Sequence, residues 1–301
     1  MVRFGPVGEE GQTIMKRVIA LGVLAVSMIT HSVPGQQQTD ETVPLPPPSL
    51  EWRFELLPGV WFPRLGGEVR LGDSPRAVSL HVKRDLDLRD AEVVFDPDVT
   101  IRLGDTWHLR AGGFAFSTDA AGVFEGEADF GRLTLRDGDR YRGSVDIDSA
   151  AIEVGAALWT WVDWQSPDEA GRRTAFTLAP KLGLRYVQVE QDLELIGTGR
   201  EDVGGEWTAL YGGLEMRLRW ERPDVLPIGR AFELNAAGGL GPAFGADGGF
   251  IWQVRANATL DLTANLGVTI GYRLLELDVE DGPYDCQAGL QGLFVGATLR
   301  F

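Results

Sequence analysis

Cysteine and histidine are scarce in this chain of 301 residues. Cys286 is the single cysteine, and there are only three histidines. One cysteine excludes an intramolecular disulfide and a thiolate cluster for zinc. Two interpretations of Cys286 follow, a reactive or intermolecularly paired thiol and an incidental loop residue, and we favour the second. We expect neither a metal site nor a cofactor.

Basic residues are also in deficit. Lys and Arg number 28 against 44 Asp and Glu, which gives a formal net charge of −16 at pH 7. Nucleic-acid binding depends on clustered Lys and Arg, so the composition argues against a nucleic-acid partner. It equally argues against a peripheral protein that basic residues hold to anionic lipid.

Apolar runs long enough for a membrane helix are missing. The stretch Val18–Ile29 is apolar but shorter than the roughly 20 residues that a spanning helix needs. It follows Lys16 and Arg17 and precedes small and turn residues up to Gly35, a pattern typical of a cleavable secretory signal. We therefore interpret residues 1–35 as a signal peptide, with Met15 as an alternative start.

The next segment is polar and rich in proline. Residues 36–50 contain the sequence QQQTDETVPLPPPS, which predicts a disordered or polyproline-like spacer. No later window of 18 apolar residues occurs. A membrane-resident mature chain would therefore have to be a closed barrel, because only helices and closed barrels satisfy their backbone hydrogen bonds in lipid.

Apolar and polar residues alternate with period two along residues 51–301. In the clearest segment Leu210, Leu214 and Trp220 share one face, while Glu215 and Arg217 share the other. Such segments predict an all-β fold, a single antiparallel up-and-down transmembrane β-barrel of about ten strands, with eight to twelve as the range. The predicted strands are 52–62, 93–104, 106–118, 141–162, 173–190, 205–221, 231–243, 249–262, 265–280 and 289–301. A short hairpin of 66–71 and 77–83 would make twelve.

Two irregularities and three long connections are predicted as well. Pro180 removes a ladder donor, so we expect a bulge there. The apolar face changes parity between Val145–Ile147 and Ile152–Val154, which also indicates a bulge. Short turns are expected at Gly104-Asp105, Thr263–Asn265 and Arg222–Gly229, with a medium turn at Asp163–Arg172. Long, acidic loops are expected at Asp119–Arg140, Gln191–Gly205 and Glu280–Gln287.

The polar face of these strands predicts the lumen. In a transmembrane barrel the apolar face contacts lipid and the polar face lines the interior. Two interpretations stay open, a pore whose charges set ion preference, and an interior filled with paired charges. The predicted lumen-lining residues are Lys181, Arg185, Glu215, Arg217, Glu233, Arg255, Arg273 and Arg300.

Three stretches resemble an uncharacterised family of outer-membrane β-barrel proteins of Gram-negative bacteria. They are Trp52–Gly67, Asp98–Ser117 and the pair Gly271–Asp285 with Gln291–Phe301. The last strand alternates to a terminal Phe301, which resembles the closing strand that the barrel-assembly machinery recognises. The resemblance implies location in the outer membrane, with lipid, lipopolysaccharide and that machinery as partners. It implies no activity.

Three functional hypotheses follow. The first is a narrow pore for small polar solutes or a structural envelope protein, and not an enzyme. The second is a lipid-modifying enzyme that uses Ser79 and His81, although we favour an ordinary strand histidine. The third is a soluble exported barrel that binds an apolar ligand. Acidic residues such as Glu125 and Asp278 could bind Ca²⁺ or Mg²⁺, but we favour a solvated rim.

Overall fold

The computed structural model describes most of the predicted barrel. The expected signal peptide (1–35) and spacer (36–50) lie outside the described residues, as do 165–172 and 222–228 of two predicted turns. The described residues are 52–72, 77, 79–88, 90–104, 106–164, 173–221, 229, 231–245 and 247–301.

Strands account for all the regular structure of the described residues, which contain no helix. No described segment therefore forms a helix that is long and apolar enough to cross a membrane. The strands are β1 (Trp52–Leu57), β2 (Gly59–Leu71), β3 (Leu80–His81), β4 (Val94–Phe95), β5 (Asp98–Leu103), β6 (Trp107–Val123), β7 (Ala128–Phe130), β8 (Leu133–Leu135), β9 (Arg140–Ala156), β10 (Trp159–Trp164), β11 (Arg173–Leu195), β12 (Gly199–Glu221), β13 (Ala231–Phe244), β14 (Gly248–Asp261), β15 (Leu266–Asp281) and β16 (Tyr284–Arg300).

These strands close into a ten-stranded antiparallel barrel, as predicted. The order is β1, β5, β6, β9, β11, β12, β13, β14, β15 and β16, and β2 continues the wall strand that β1 begins. The last strand, β16, pairs with both β2 and β1 and so closes the ring. The additional hairpin is formed only in part: Gly66–Leu71 belongs to β2, and it pairs with the two residues of β3 through Glu68 with His81 and Val69 with Leu80. This short pairing adds no further strand to the ring.

Side chains alternate between the interior and the exterior of this barrel. On β12, Leu214 and Met216 are 54% and 48% exposed, whereas Glu215 between them is buried, as is Tyr211 on the same inward face. An uninterrupted ladder maintains this alternation, since each step along a strand turns the side chain to the other face. The apolar face therefore points outward on this strand, as the lumen prediction required.

The polarity of the two faces reverses half-way along the barrel. On β11 the outward residues change from Leu182, which is exposed, to Glu190, while the inward residues change from Arg185 to Val189. We call the part that ends at Gly104 and at the turn 262–265 the lower half. The part that ends at turns 196–198 and 282–283 is the upper half. The lower half is apolar outside and charged inside, and the upper half is polar outside and apolar inside.

This reversal explains the parity change that we interpreted as a bulge. Val145 and Ile147 point inward in the upper half, and Ile152 and Val154 lie on the outward face below them. The pairing of β9 with β6 and with β11 runs through this region without an inserted residue. The bulge prediction is therefore wrong here: the strand is regular, and only the location of its apolar face changes.

A bulge does occur beside Pro180, but in the neighbouring strand. Pairing of β11 with β12 is unbroken at Pro180. On the other side, Gly155 pairs with Lys181 and Trp159 pairs with Leu178, so three residues oppose two. The additional residue falls next to the position where proline supplies no N–H group.

The predicted acidic loops are largely strands. Gln191–Gly205 forms the end of β11, a turn at 196–198 and the start of β12. Likewise, Glu280–Gln287 is a hairpin whose turn contains Gly282 in a left-handed conformation, with φ of 56°. These segments resemble loops in composition because their outward residues are acidic, while their inward residues form a core.

A small hairpin and an irregular segment close the upper end. Within the predicted loop Asp119–Arg140, β7 and β8 pair with each other, and Phe130 and Leu135 are fully buried. The N–H of Gly131 donates to the carbonyl of Leu71 at 3.0 Å, which ties this hairpin to β2. Between β2 and β6, residues 82–94 contribute further buried side chains, namely Val82, Leu86, Leu88 and Val94.

Cys286 belongs to the resulting apolar core of the upper half. It lies on β16 with only 1% of its surface exposed, so the interpretation as a loop residue is wrong. Burial raises the pKa of the Cys286 thiol to about 12. The thiol is therefore neutral and inaccessible, which does not fit a reactive cysteine.

A substitution on the outward face tests which half of the barrel contacts lipid. Replacing Leu214 by Arg should destabilise the lipid-embedded protein by about 2–4 kcal/mol, because the charge would lie in hydrocarbon. Replacing Gln287 by Arg, at an exposed outward position of the upper half, should change stability by about 0–1 kcal/mol. Urea titration of folded and unfolded bands in lipid vesicles measures both, and equal losses would contradict the assignment.

Candidate functional site

The structure places all eight predicted lumen-lining residues on inward positions of the lower half. They lie on β11 to β16, and five of them, Lys181, Arg185, Glu215, Arg255 and Arg273, are at most 9% exposed. Some of their contacts cross the barrel interior, such as Arg185 to Gln253 and Arg255 to Asp98. Others join neighbouring strands, such as Lys181 to Glu153 and Arg300 to Glu55. A charged network therefore fills part of the interior, so the lumen is not empty along the whole axis.

Glu153 is the centre of this network, and sequence reasoning missed it. One carboxylate oxygen accepts hydrogen bonds from Lys181 Nζ at 3.0 Å, Tyr211 Oη at 2.6 Å and Gln253 Nε2 at 2.9 Å. These residues come from β9, β11, β12 and β14, so the carboxylate bridges different sides of the barrel. Strand alternation could have found it, because Glu153 lies between two outward residues, Ile152 and Val154.

Glycines make room for the tyrosine that reaches Glu153. A Cβ atom on Gly183 would lie 2.5 Å from the Tyr211 ring, and one on Gly239 would lie 2.9 Å from it. Both glycines point inward on the strands beside Tyr211. A side chain at either position would displace the ring and with it the hydrogen bond to Glu153.

Two aspartates before and at the start of β5 anchor three of the arginines. Asp98 accepts hydrogen bonds from Arg110, at 3.2 and 2.6 Å, and from Arg255. Asp96 accepts two from Arg273, at 2.7 and 2.8 Å. Both carboxylates were missed because Pro97 separates them and hides the alternation. Charge-assisted pairs of this geometry are the stronger class of hydrogen bond.

Aromatic rings separate the charged network from the apolar core above it. The Arg273 guanidinium lies 5.0 Å from the Trp61 ring centre and 5.1 Å from that of Phe114. Arg255 lies 4.3 Å from the ring centre of Phe294. These cation–π contacts give each guanidinium an acid on one side and an aromatic face on the other.

Below the network a second set of charges surrounds the axis. Glu215 accepts hydrogen bonds from Arg217 at 2.6 Å and from Asn235 at 2.8 Å, and lies 3.3 Å from His108 Nε2. The remaining predicted residues pair here as well. Glu233 bonds Arg219 at 3.2 Å, and Arg300 bonds Glu55 at 3.1 Å and also Asp261.

The lower end contains a cavity of about 960 Å³, which we call the vestibule. It reaches the turns around Gly104 and Asn265 at the end of the barrel. Small inward side chains of β11, among them Ala175, Thr177 and Ala179, provide the space on one side. The charged residues that line it are Arg53, Glu55, Arg102, His108, Glu215, Arg217, Arg219, Glu221, Glu233 and Arg300.

The residues proposed for an enzyme do not form a catalytic pair. His81 Nδ1 lies 3.1 Å from Glu68 Oε1, and no hydrogen bond links it to Ser79 within the described residues. His108 contacts Glu215 and faces the vestibule. No group of three His, Cys, Asp or Glu residues in the described part of the chain could hold a metal ion.

Removal of the central carboxylate tests the network. Glu153→Gln would leave Lys181, whose side chain is 4% exposed, without an anionic partner. We expect a loss of about 3–5 kcal/mol in the free energy of unfolding, because an uncompensated charge is buried. Chemical unfolding in detergent micelles, followed by tryptophan fluorescence, measures the loss.

Two further variants complete this test. Adding Lys181→Met to Glu153→Gln should recover much of the loss, since no buried charge is then left unpaired. Glu190→Gln, on an exposed outward position of the same sheet, should unfold like the unmodified protein. An equal loss in the single and the double variant would show that the charge pair is not the cause.

Comparisons with known proteins close the description of the site. No family model and no curated protein sequence matches this chain. Solved structures with a similar fold include the outer membrane protease OmpT from Escherichia coli, at 9% identity over 87% of this chain and 99% of that one, with a TM-score of 0.43. Another is the attachment invasion locus protein Ail of Yersinia pestis, at 11% identity over 82% of this chain and 99% of that one, with a TM-score of 0.33. A third is an outer membrane channel from Pseudomonas putida F1, at 12% identity over 88% of this chain and 100% of that one, with a TM-score of 0.28. Likeness at this level transfers no activity and no site residue.

Proposed function

We propose that this protein is an outer-membrane β-barrel with a closed interior and a structural role in the cell envelope. The observation that carries the proposal is the filling of the interior. A charged network crosses the lower half, and an apolar core, which includes Trp61, Phe116, Phe130 and Leu277, fills the upper half. Beside the network the described residues leave only small cavities, of about 30 and 50 Å³, so we infer that no continuous aqueous path crosses this part of the barrel.

The outward face of the lower half supports location in a membrane. Its outward apolar residues, exposed or half-buried, run from Leu210 to Trp220 on β12 and from Trp252 to Leu260 on β14. Segments of this length suit a tilted membrane-spanning strand, which needs about 9–11 residues. Exposed aromatic residues surround the lower rim, as expected at a membrane interface: Trp52, Trp107, Trp159, Trp161 and Phe301.

The same face argues against a soluble exported barrel that binds an apolar ligand. Soluble monomers rarely expose a contiguous apolar surface of more than a few hundred Å². A soluble barrel would instead have the polarity of the upper half along its whole length. We infer that water surrounds only the upper half.

Outer-membrane lipid, lipopolysaccharide and the barrel-assembly machinery are the partners that this proposal requires. Phe301 is 73% exposed at the lower rim. Its N–H and C=O groups pair with Phe54 at 2.9 and 3.1 Å, at the seam where β16 meets β1. A terminal aromatic residue at the closing seam suits recognition during assembly. An enzymatic role for Ser79 and His81 gains no support from their geometry.

Conductance distinguishes a closed barrel from a narrow pore. We expect the purified, folded protein to produce no discrete conductance steps in planar bilayers, because the apolar core excludes water from the upper half. A known porin inserted under the same conditions is the positive control. Reproducible single-channel steps that scale with salt concentration would contradict the closed-barrel proposal and favour the pore.

A further inference from the structure

The vestibule contains more arginines than it contains acids to pair with them. Five arginines and four glutamates line it. Each glutamate already has an arginine partner: Glu55 pairs with Arg300, Glu215 with Arg217, and Glu221 and Glu233 with Arg219. All four glutamates of the vestibule therefore already form ion pairs with its arginines.

Arg102 is an arginine of the vestibule that takes no part in these pairs. It points inward on β5 and lines both the vestibule and a smaller cavity of about 50 Å³ above it. Within the described residues its side chain forms no ion pair or hydrogen bond, although Glu55 and Glu233 lie close enough for weaker electrostatic attraction. A guanidinium in a barrel interior normally has a partner of opposite charge, because it is poorly solvated there.

Arg217 is a second arginine beside Arg102. It lies close enough to Arg102 to repel it. Its side chain is 19% exposed and pairs with Glu215 at 2.6 Å. Its Nε atom lies 3.5 Å from Glu233 and has no hydrogen-bond partner in the described structure. Arg102 thus has free donors on the wall of a cavity, with a second guanidinium group beside it, which suits planar, bidentate recognition of carboxylate or phosphate.

We propose that the vestibule binds a small solute through a carboxylate or phosphate group held by Arg102 and Arg217. The cavity is within the size range of small-molecule sites, about 300–1,000 Å³. The small residues Ala175, Thr177 and Ala179 leave space for the remainder of the solute. Binding would relieve the repulsion between the two arginines without breaking an existing ion pair. This site is independent of the closed-barrel proposal, since it needs access from the lower end only.

Calorimetric titration of the folded full-length protein in detergent micelles tests the proposal. The probes are inorganic phosphate and citrate in separate arms, with choline as a cationic control. We expect at least one of the anions to bind, and choline not to bind. Arg102→Gln should weaken anion binding at least tenfold. Arg70→Gln, which removes a half-exposed arginine of the upper half, should leave it unchanged.

The comparison between the phosphate and citrate arms distinguishes the two head groups. Absence of binding for both anions, or equal binding by the protein and Arg102→Gln, would overturn the proposal. An equal loss in Arg70→Gln would reveal non-specific attraction and overturn it as well. If Arg102→Gln does not fold, as judged by heat-modifiable gel migration, the Thr177→Phe variant replaces it as the test of the site. It fills the cavity and should weaken citrate binding at least tenfold, and unchanged citrate binding would refute the site.

Discussion

The lower half depends on one buried carboxylate, that of Glu153, which accepts three hydrogen bonds. Charged side chains there cannot turn outward, because the outer face is apolar, so they must find partners inside the barrel. Glu153 connects Lys181, Tyr211 and Gln253 from three other strands. In a ten-stranded barrel this distance can be bridged by side chains alone. The charges therefore fill the interior and link opposite walls.

In the upper half the same strands have the opposite polarity. Outward residues such as Glu190 and Asp278 are polar, and the interior contains apolar side chains such as Val189 and Leu277. Hydrophobic burial is therefore the main stabilising contribution there, whereas paired charges fill the lower half. One continuous ladder serves both environments, because backbone hydrogen bonding does not depend on which face is apolar. Arg273, between Asp96 and two aromatic rings, lies at the boundary.

Much of the lower half could be predicted from sequence, and the upper half could not. Alternation in β12, β14 and β15 indicated the strand positions and the inward arginines correctly. Alternation failed above Tyr186, where the outward residues are acidic. From sequence, apolar residues are expected to face lipid along the whole strand, and under that expectation the acidic segments resemble loops. The partners of Glu153 were beyond reach for another reason. Tyr211 and Gln253 are 58 and 100 residues away, and no local pattern encodes contacts across an axis.

Spin-label accessibility along β12 tests the reversal of polarity most directly. Labels would be placed singly at outward positions, from Arg200, Asp202 and Glu206 to Leu210, Leu214 and Leu218, in a Cys286→Ala background and in lipid vesicles. The account predicts that a water-soluble nickel complex reaches the first three positions, while dissolved oxygen dominates at the last three. Equal access of the nickel complex to Leu214 and Glu206 would contradict it.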